Sequence, residues 1–267
     1  MAMTRPVDAG AGRRWAWLAV LVGGVVLFEI VRRVLLETQN PNLIPSLILL
    51  GAAVAPAAFV AFVLGRRLPW DISTGAIVGV AFLGGLIGVV AAGLLEFSTL
   101  RDLGVLPMVL VGVIEEAAKL IVPAALLIVV RRYRRPADGL LVGVAAGAGF
   151  AALETMGYAF VTLIQSQGNV AAVENILLLR GLLSPAAHMA WTGLTATALW
   201  YAANRGWKGG AVLRFLAVFV LAVALHATWD SVGTIPVYVL LSAISLGLLA
   251  WFAHLLSVGA RLPVLQH

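Results

Sequence analysis

The sequence predicts an all-α fold, a polytopic transmembrane helical bundle, on three observations. Its 267 residues are 62% hydrophobic and only 11% charged. The mean hydropathy is +1.03. The charges gather in short clusters between long apolar runs, whereas a soluble core of this size needs a far more polar surface. The chain has no cysteine, which excludes disulfides, thiolate metal ligands and a cysteine nucleophile.

Runs of the roughly 20 apolar residues needed to cross a bilayer number about eight. They fall near residues 15–36, 43–64, 73–95, 104–130, 139–164, 182–203, 211–230 and 235–257. The first starts too deep in the chain, with too little resembling a small-residue cleavage site after it, for a signal peptide, and reads as a retained helix. Basic connectors alternate with the others. Arg5, Arg13 and Arg14 precede span one, Arg66 and Arg67 follow span two, and Arg131, Arg132, Arg134 and Arg135 follow span four. Arg205 and Lys208 follow span six, and Arg261 follows span eight. The intervening connectors carry Glu37, Glu96, Asp102 and Glu174, offset by Arg101 and Arg180. The positive-inside bias then predicts both termini in the cytoplasm and residues 165–181 outside. Arg32 and Arg33 break the pattern and are expected to pair with Glu29 or to snorkel outward. The net charge of +6 is therefore a topology signal, and nucleic acid is not an expected partner.

No linker or internal repeat divides the chain, so residues 1–267 read as one integral membrane domain. Gly75/Gly79, Gly84/Gly88 and the series Gly139, Gly143, Gly147, Ala151 form small-residue stripes suited to close helix packing.

Ionisable residues inside the spans carry the functional signal, since a charge at the bilayer centre costs about 3 kcal/mol on insertion scales. Glu115 lies fifteen residues before Val130 and Glu154 fifteen after Gly139; His188 lies fifteen before Ala203 and His226 fifteen after Ala211. At 1.5 Å per residue all four sit about 22 Å from the inner boundary, so they are expected to share one site in the outer half of the membrane. Glu115 and Glu116 are adjacent and diverge, and Lys119 lies one turn on, where it can neutralise one of them to help insertion. Glu154 shares a face with Phe150 and Tyr158, and His188 shares one with Ser184, Thr192 and Thr195, with Pro185 loosening the backbone before it. His226 and Asp230 are four apart and stack, the aspartate orienting the ring, joining a metal shell or bonding a substrate. His254 and Arg214 lack polar company and read as interfacial. The bland alternative is a set of structural polar contacts, which neutral side chains would supply at lower cost.

Two imidazoles and several carboxylates suit zinc with a glutamate left as general base. HExxH is absent, so such a site is assembled from separate helices. A glutamate that activates water directly, with histidines stabilising the oxyanion, is equally compatible. Both routes end in hydrolysis, and the residues leave the choice open.

The segments GVIEEAAKL, GFAALE, SPAAHMAWTG and LHATWD resemble, in order, the four motifs of the PrsW family of intramembrane proteases. The match spans about residues 112–230. The resemblance implies endopeptidase activity on a membrane-anchored protein at the cell membrane, with anti-sigma factors as a suggested substrate class. The family is related to the CAAX prenyl endopeptidases and Abi proteins, which usually carry histidine where this chain has Glu154 and arginine where it has Lys119; those departures favour the PrsW branch. On this reading residues 104–230 hold the catalytic helices. Glu115 is the base, Glu116 supports it, and Glu154, His188 and His226 bind a metal or stabilise the tetrahedral intermediate, with Asp230 orienting His226 or the substrate. A proton- or cation-coupled transporter would instead show paired broken helices in repeats. A haem subunit with His188 and His226 as axial ligands would leave the three glutamates unexplained.

Overall fold

The computed structural model describes residues 11–66 and 68–259. Arg5, Arg67 and Arg261 of the predicted basic connectors lie outside them. The described residues fold as α1 (Ala11–Thr38), α2 (Ile44–Leu64), α3 (Thr74–Leu103), α4 (Met108–Lys119), α5 (Ile121–Val129), α6 (Pro136–Gln165), α7 (Val170–Leu183), α8 (His188–Asn204), α9 (Gly209–Val232) and α10 (Ile235–Gly259), with no strand among them. Six helical stretches are long and apolar enough to cross a membrane: Pro41–Leu64, Thr74–Leu103, Pro136–Gln165, Val170–Asn204, Gly209–Val232 and Ile235–Val258. The all-α polytopic bundle is as expected.

Helix α6 is the axis of the bundle. The apolar window of α6 is 72% buried against 17% for that of α10, so α10 is peripheral and turns most of its surface away from the bundle. Glycines make the central position possible. A Cβ at Gly139 would meet the Trp200 side chain, one at Gly143 the Thr192 carbonyl, and one at Gly147 the His188 carbonyl. The backbone of α8 therefore rides directly on α6, as small-residue stripes allow. Gly85 of α3 approaches Gly149 of α6 in the same way. Gly75 and Gly79 have the same spacing but face open space, so that pair does not serve the packing predicted for it.

Polar contacts tie one end of the bundle together. Asp138, fully buried, accepts from the backbone amides of Asp71 (2.6 Å), Ile72 (3.0 Å) and Arg135 (3.0 Å). Arg135 pairs with Asp71 at 3.0 Å, and Trp200 Nε1 donates to the Tyr133 carbonyl at 2.9 Å. The α2–α3 and α5–α6 connections and the end of α8 thus share one face. At the other end Arg33 pairs with Glu29 at 2.7 Å, as expected, and Arg32 reaches Glu174 at 3.1 Å.

Two expected spans are not continuous helices. Span four breaks at Leu120, between α4 and α5. Pro123 has no N–H to give the Lys119 carbonyl four residues back, so the ladder stops there. Span six breaks at residues 184–187, where a short 3₁₀ turn precedes Ala187 at φ −109°, ψ −106°. Pro185 leaves the Gly181 carbonyl without its helical donor, and Ser184 Oγ takes it at 3.0 Å. Glu96, expected in a connector, lies inside α3, which continues to Leu103 and ends at Gly104 with φ +68°.

Candidate active site

Both breaks position the site. Ending α4 at Lys119 puts Glu115, Glu116 and Lys119 on its last turns, and restarting at His188 puts that imidazole on the first residue of α8. The stripe of glycines on α6 then lets the start of α8 approach closely.

Lys119 is fully buried, and its Nζ lies 2.8 Å from Glu116 Oε1, 3.2 Å from Glu115 Oε2 and 2.9 Å from His188 Nδ1. The ammonium also sits 4.4 Å over the Phe150 ring. It therefore meets both glutamates, where neutralisation of one was expected. His226 Nδ1 lies 2.8 Å from Glu116 Oε1, and its Nε2 lies 3.2 Å from Asp230 Oδ2 and 3.4 Å from Glu115 Oε2. Glu154 Oε2 lies 3.0 Å from His188 Nε2. Glu115, Glu116, Glu154, His188, His226 and Asp230 are thus one connected cluster drawn from α4, α6, α8 and α9. The two imidazoles are 5.4 Å apart, and Trp191 packs on His226 at 5.1 Å while its Nε1 donates to Ser245.

These contacts order the protons. An ammonium beside His188 Nδ1 makes that nitrogen an acceptor, so the neutral ring carries its proton on Nε2, toward Glu154. A carboxylate beside His226 Nδ1 makes that nitrogen the donor and aims Nε2 at Glu115 and Asp230.

Arg180 joins the cluster and Glu96 lies beside it, neither of them expected from the spans. Arg180 of α7 places Nη2 2.8 Å from Glu154 Oε2 and stacks 3.9 Å over Tyr158. Its sequence signal was a lone arginine in the run NILLLRGLL, which counted as connector charge. Glu96 keeps Oε1 buried without a hydrogen-bond partner, one turn beyond Ala92, which packs on Ala118 and Phe150. Its sequence signal is that no glycine or proline stands between it and Gly104. Tyr158 contacts the arginine, and Thr195 bonds the Trp191 carbonyl at 2.9 Å, away from the imidazole.

The residues fit a divalent metal. Ligand atoms of Glu115, His188 and His226, all buried, lie within 4.8 Å of one another. Glu154 touches this group through His188. Buried oxygens of Glu115, Glu116 and Glu154 make no aligned hydrogen bond, although ion-pair partners are near. Among the described residues, Glu115, Glu116, Glu154 and Asp230 have Lys119 and Arg180 as their permanent cations, which leaves a negative surplus that a divalent ion offsets.

The sequence model of the PrsW family of intramembrane metalloproteases matches residues 12–258, and the chain belongs to that family. No curated protein and no solved structure matches it. The chain is accordingly a peptide-bond hydrolase and a multi-pass integral membrane protein, the cell membrane being the usual location, and its substrate is a membrane protein.

Proposed function

We propose that this PrsW-family protease cleaves a membrane-anchored regulatory protein, of the anti-sigma class, near the outer face of the membrane, using the cluster around Lys119. The observation that carries the reading is the convergence of six ionisable side chains from four helices, with Glu115, Glu116, His188 and His226 buried at the centre and Glu154 and Asp230 at the edge. Charges at that depth are expensive to insert and are retained where they do chemistry.

Glu115 is the base. Its Oε2 is buried, lies beside the inward nitrogen of His226, and is not engaged in an aligned hydrogen bond. It takes a proton from the water whose oxygen attacks the scissile carbonyl carbon, and returns a proton to the departing amine as the C–N bond breaks. Glu116, clamped between Lys119 and His226 Nδ1, fixes the ring, and Asp230 steadies its other nitrogen. Zinc, when bound, would be held by His188 and His226 with Glu154 as the carboxylate, the His188 Nε2 proton being given up and Nδ1 taking one from Lys119; it would polarise the carbonyl and acidify water, with Glu115, which lies in the same 4.8 Å group, left to act on that water. Arg180 positions Glu154.

The reading extends to topology. Helix α1 and the α4–α5 pair join the six apolar stretches to make eight spans, with residues 104–230 forming the catalytic part of a single domain. The end carrying Arg134 and Arg135 is cytoplasmic, and so are both termini. In Glu154 and Lys119 the chain differs from the related CAAX and Abi proteases.

Co-expression with a library of tagged single-span membrane proteins tests the proposal. A fragment that appears with wild type and not with Glu115→Gln is the expected result. The same fragments from both strains, or none from a library that covers the cell's single-span proteins, would remove it.

A further inference from the structure

A second feature lies at the other end of α6 and has no part in the hydrolytic cluster. Between α2, α6 and α10 is a cleft of about 590 Å³. Phe59, Phe62, Leu140, Val144, Leu249 and Ala253 form its walls, and Arg66, His254 and Ser257 stand at its mouth. Val144 is ten residues before Glu154 on the same helix, which separates cleft and site by about 15 Å. The cleft therefore makes a poor extension of the substrate path.

The mouth is cationic and uncompensated. Arg66 packs its guanidinium 3.9 Å over the Phe62 ring and donates Nε to the Phe62 carbonyl at 3.2 Å. No carboxylate pairs with it among the described residues, and Asp71, the acid of the same connection, is engaged by Arg135. Burial and the neighbouring Arg14 guanidinium both push the Arg66 pKa down from its ordinary value, the condition that a bound anion relieves. Arg66 lies two residues beyond the end of α2 and Ser257 lies in the last turn of α10. A polar mouth at the membrane surface thus opens onto an apolar cavity running inward between helices.

We propose that the cleft binds an anionic phospholipid, one acyl chain along the α6–α10 wall and the phosphate on Arg66. Hydrocarbon fills a space that water would occupy at a cost. The guanidinium donates to phosphate oxygens, while Ser257, whose hydroxyl donates to the His254 carbonyl at 2.8 Å, and His254 border the same headgroup. Basic pockets between transmembrane helices recognise anionic headgroups on this principle. A zwitterionic lipid fills the apolar part equally well, but its own ammonium competes for the phosphate and leaves the Arg66–Arg14 repulsion in place.

The test uses the full-length protein in detergent, with native mass spectrometry of lipid adducts. Phosphatidylglycerol should bind ahead of phosphatidylcholine of identical chains, and inorganic phosphate should not compete at equal concentration. Arg66→Gln should lower the phosphatidylglycerol adduct about fivefold, the effect of one basic residue at an anionic surface, and leave phosphatidylcholine unchanged. Val144→Trp, which fills the cleft, should reduce both. Equal binding of the two lipids, no change in Arg66→Gln, or displacement by phosphate alone overturns the proposal. A photo-reactive phenylalanine analogue in place of Ala250 tells occupants apart: a lipid adduct is expected, whereas crosslinks to residues 260–267 or to a second copy would assign the cleft to protein. Arg66→Gln sits at the surface, so it remains informative if the tryptophan variant fails to fold.

Discussion

His226 and His254 are the same side chain on consecutive helices, α9 and α10, in opposite surroundings. Both ring nitrogens of His226 are within 3.4 Å of carboxylate oxygens, from Glu116 on one side and from Asp230 and Glu115 on the other. Among the described residues the His254 ring meets the Trp251 ring, at 6.4 Å, and lines the mouth of an apolar cleft. The first ring is held by a network at membrane depth, the second rests near an interface where water meets its needs. What separates them is the presence of other ionisable groups at the same level. Hydrophobicity of the flanking sequence does not, since HATWD and WFAHLL are both embedded in apolar runs.

The contrast can be broken most forcefully at Glu115. Glu115→Gln should lower cleavage by about 10²–10⁴-fold, the usual contribution of a general base, while metal content measured by elemental analysis stays at the wild-type level. Glu154→Gln and His188→Ala should lose metal and activity together. Loss of metal in Glu115→Gln would exchange the roles of the two glutamates.

Lys119 should govern stability. Its removal in Lys119→Met leaves Glu115 and Glu116 buried without their cation, and breaking such a network costs about 3–5 kcal/mol. Thermal unfolding in detergent should show the loss, and Lys119→Met with Glu116→Gln should recover part of it. An unchanged midpoint in the single variant would mean the carboxylates are neutralised by something other than the lysine.

Arg180 is expected to act more weakly because it works through Glu154. Arg180→Gln should cost about 10–100-fold in activity, as loss of a partner behind a catalytic group does, and Arg180→Lys should restore part of it. Equal effects of lysine and glutamine would point to a packing role on Tyr158.

Much of this was legible in sequence because burying a charge in lipid is so costly that each one must be explained. Equal spacing from the basic loops placed Glu115, Glu154, His188 and His226 at one level, and they meet. Charges near the ends of apolar runs were harder to read. Arg180 and Glu96 read as connector residues because the end of an apolar run does not mark the end of a helix: α3 continues to Leu103 and α7 forms within the expected loop. Glycine spacing gave the stripe on α6 but could not tell that Gly75 and Gly79 face open space, since spacing fixes a face and not its neighbour. The proline breaks required knowing which carbonyls they would orphan, at Lys119 and Gly181, and what would take them.

The most direct measurement places His226→Ala and His254→Ala side by side, with substrate cleavage and membrane insertion read in the same cells. Cleavage should be lost in His226→Ala and stay within about twofold of wild type in His254→Ala, a surface-type substitution, with both proteins inserted normally. Comparable losses in the two, at normal insertion, would contradict the claim that the buried cluster around Lys119 is where the peptide bond is cut.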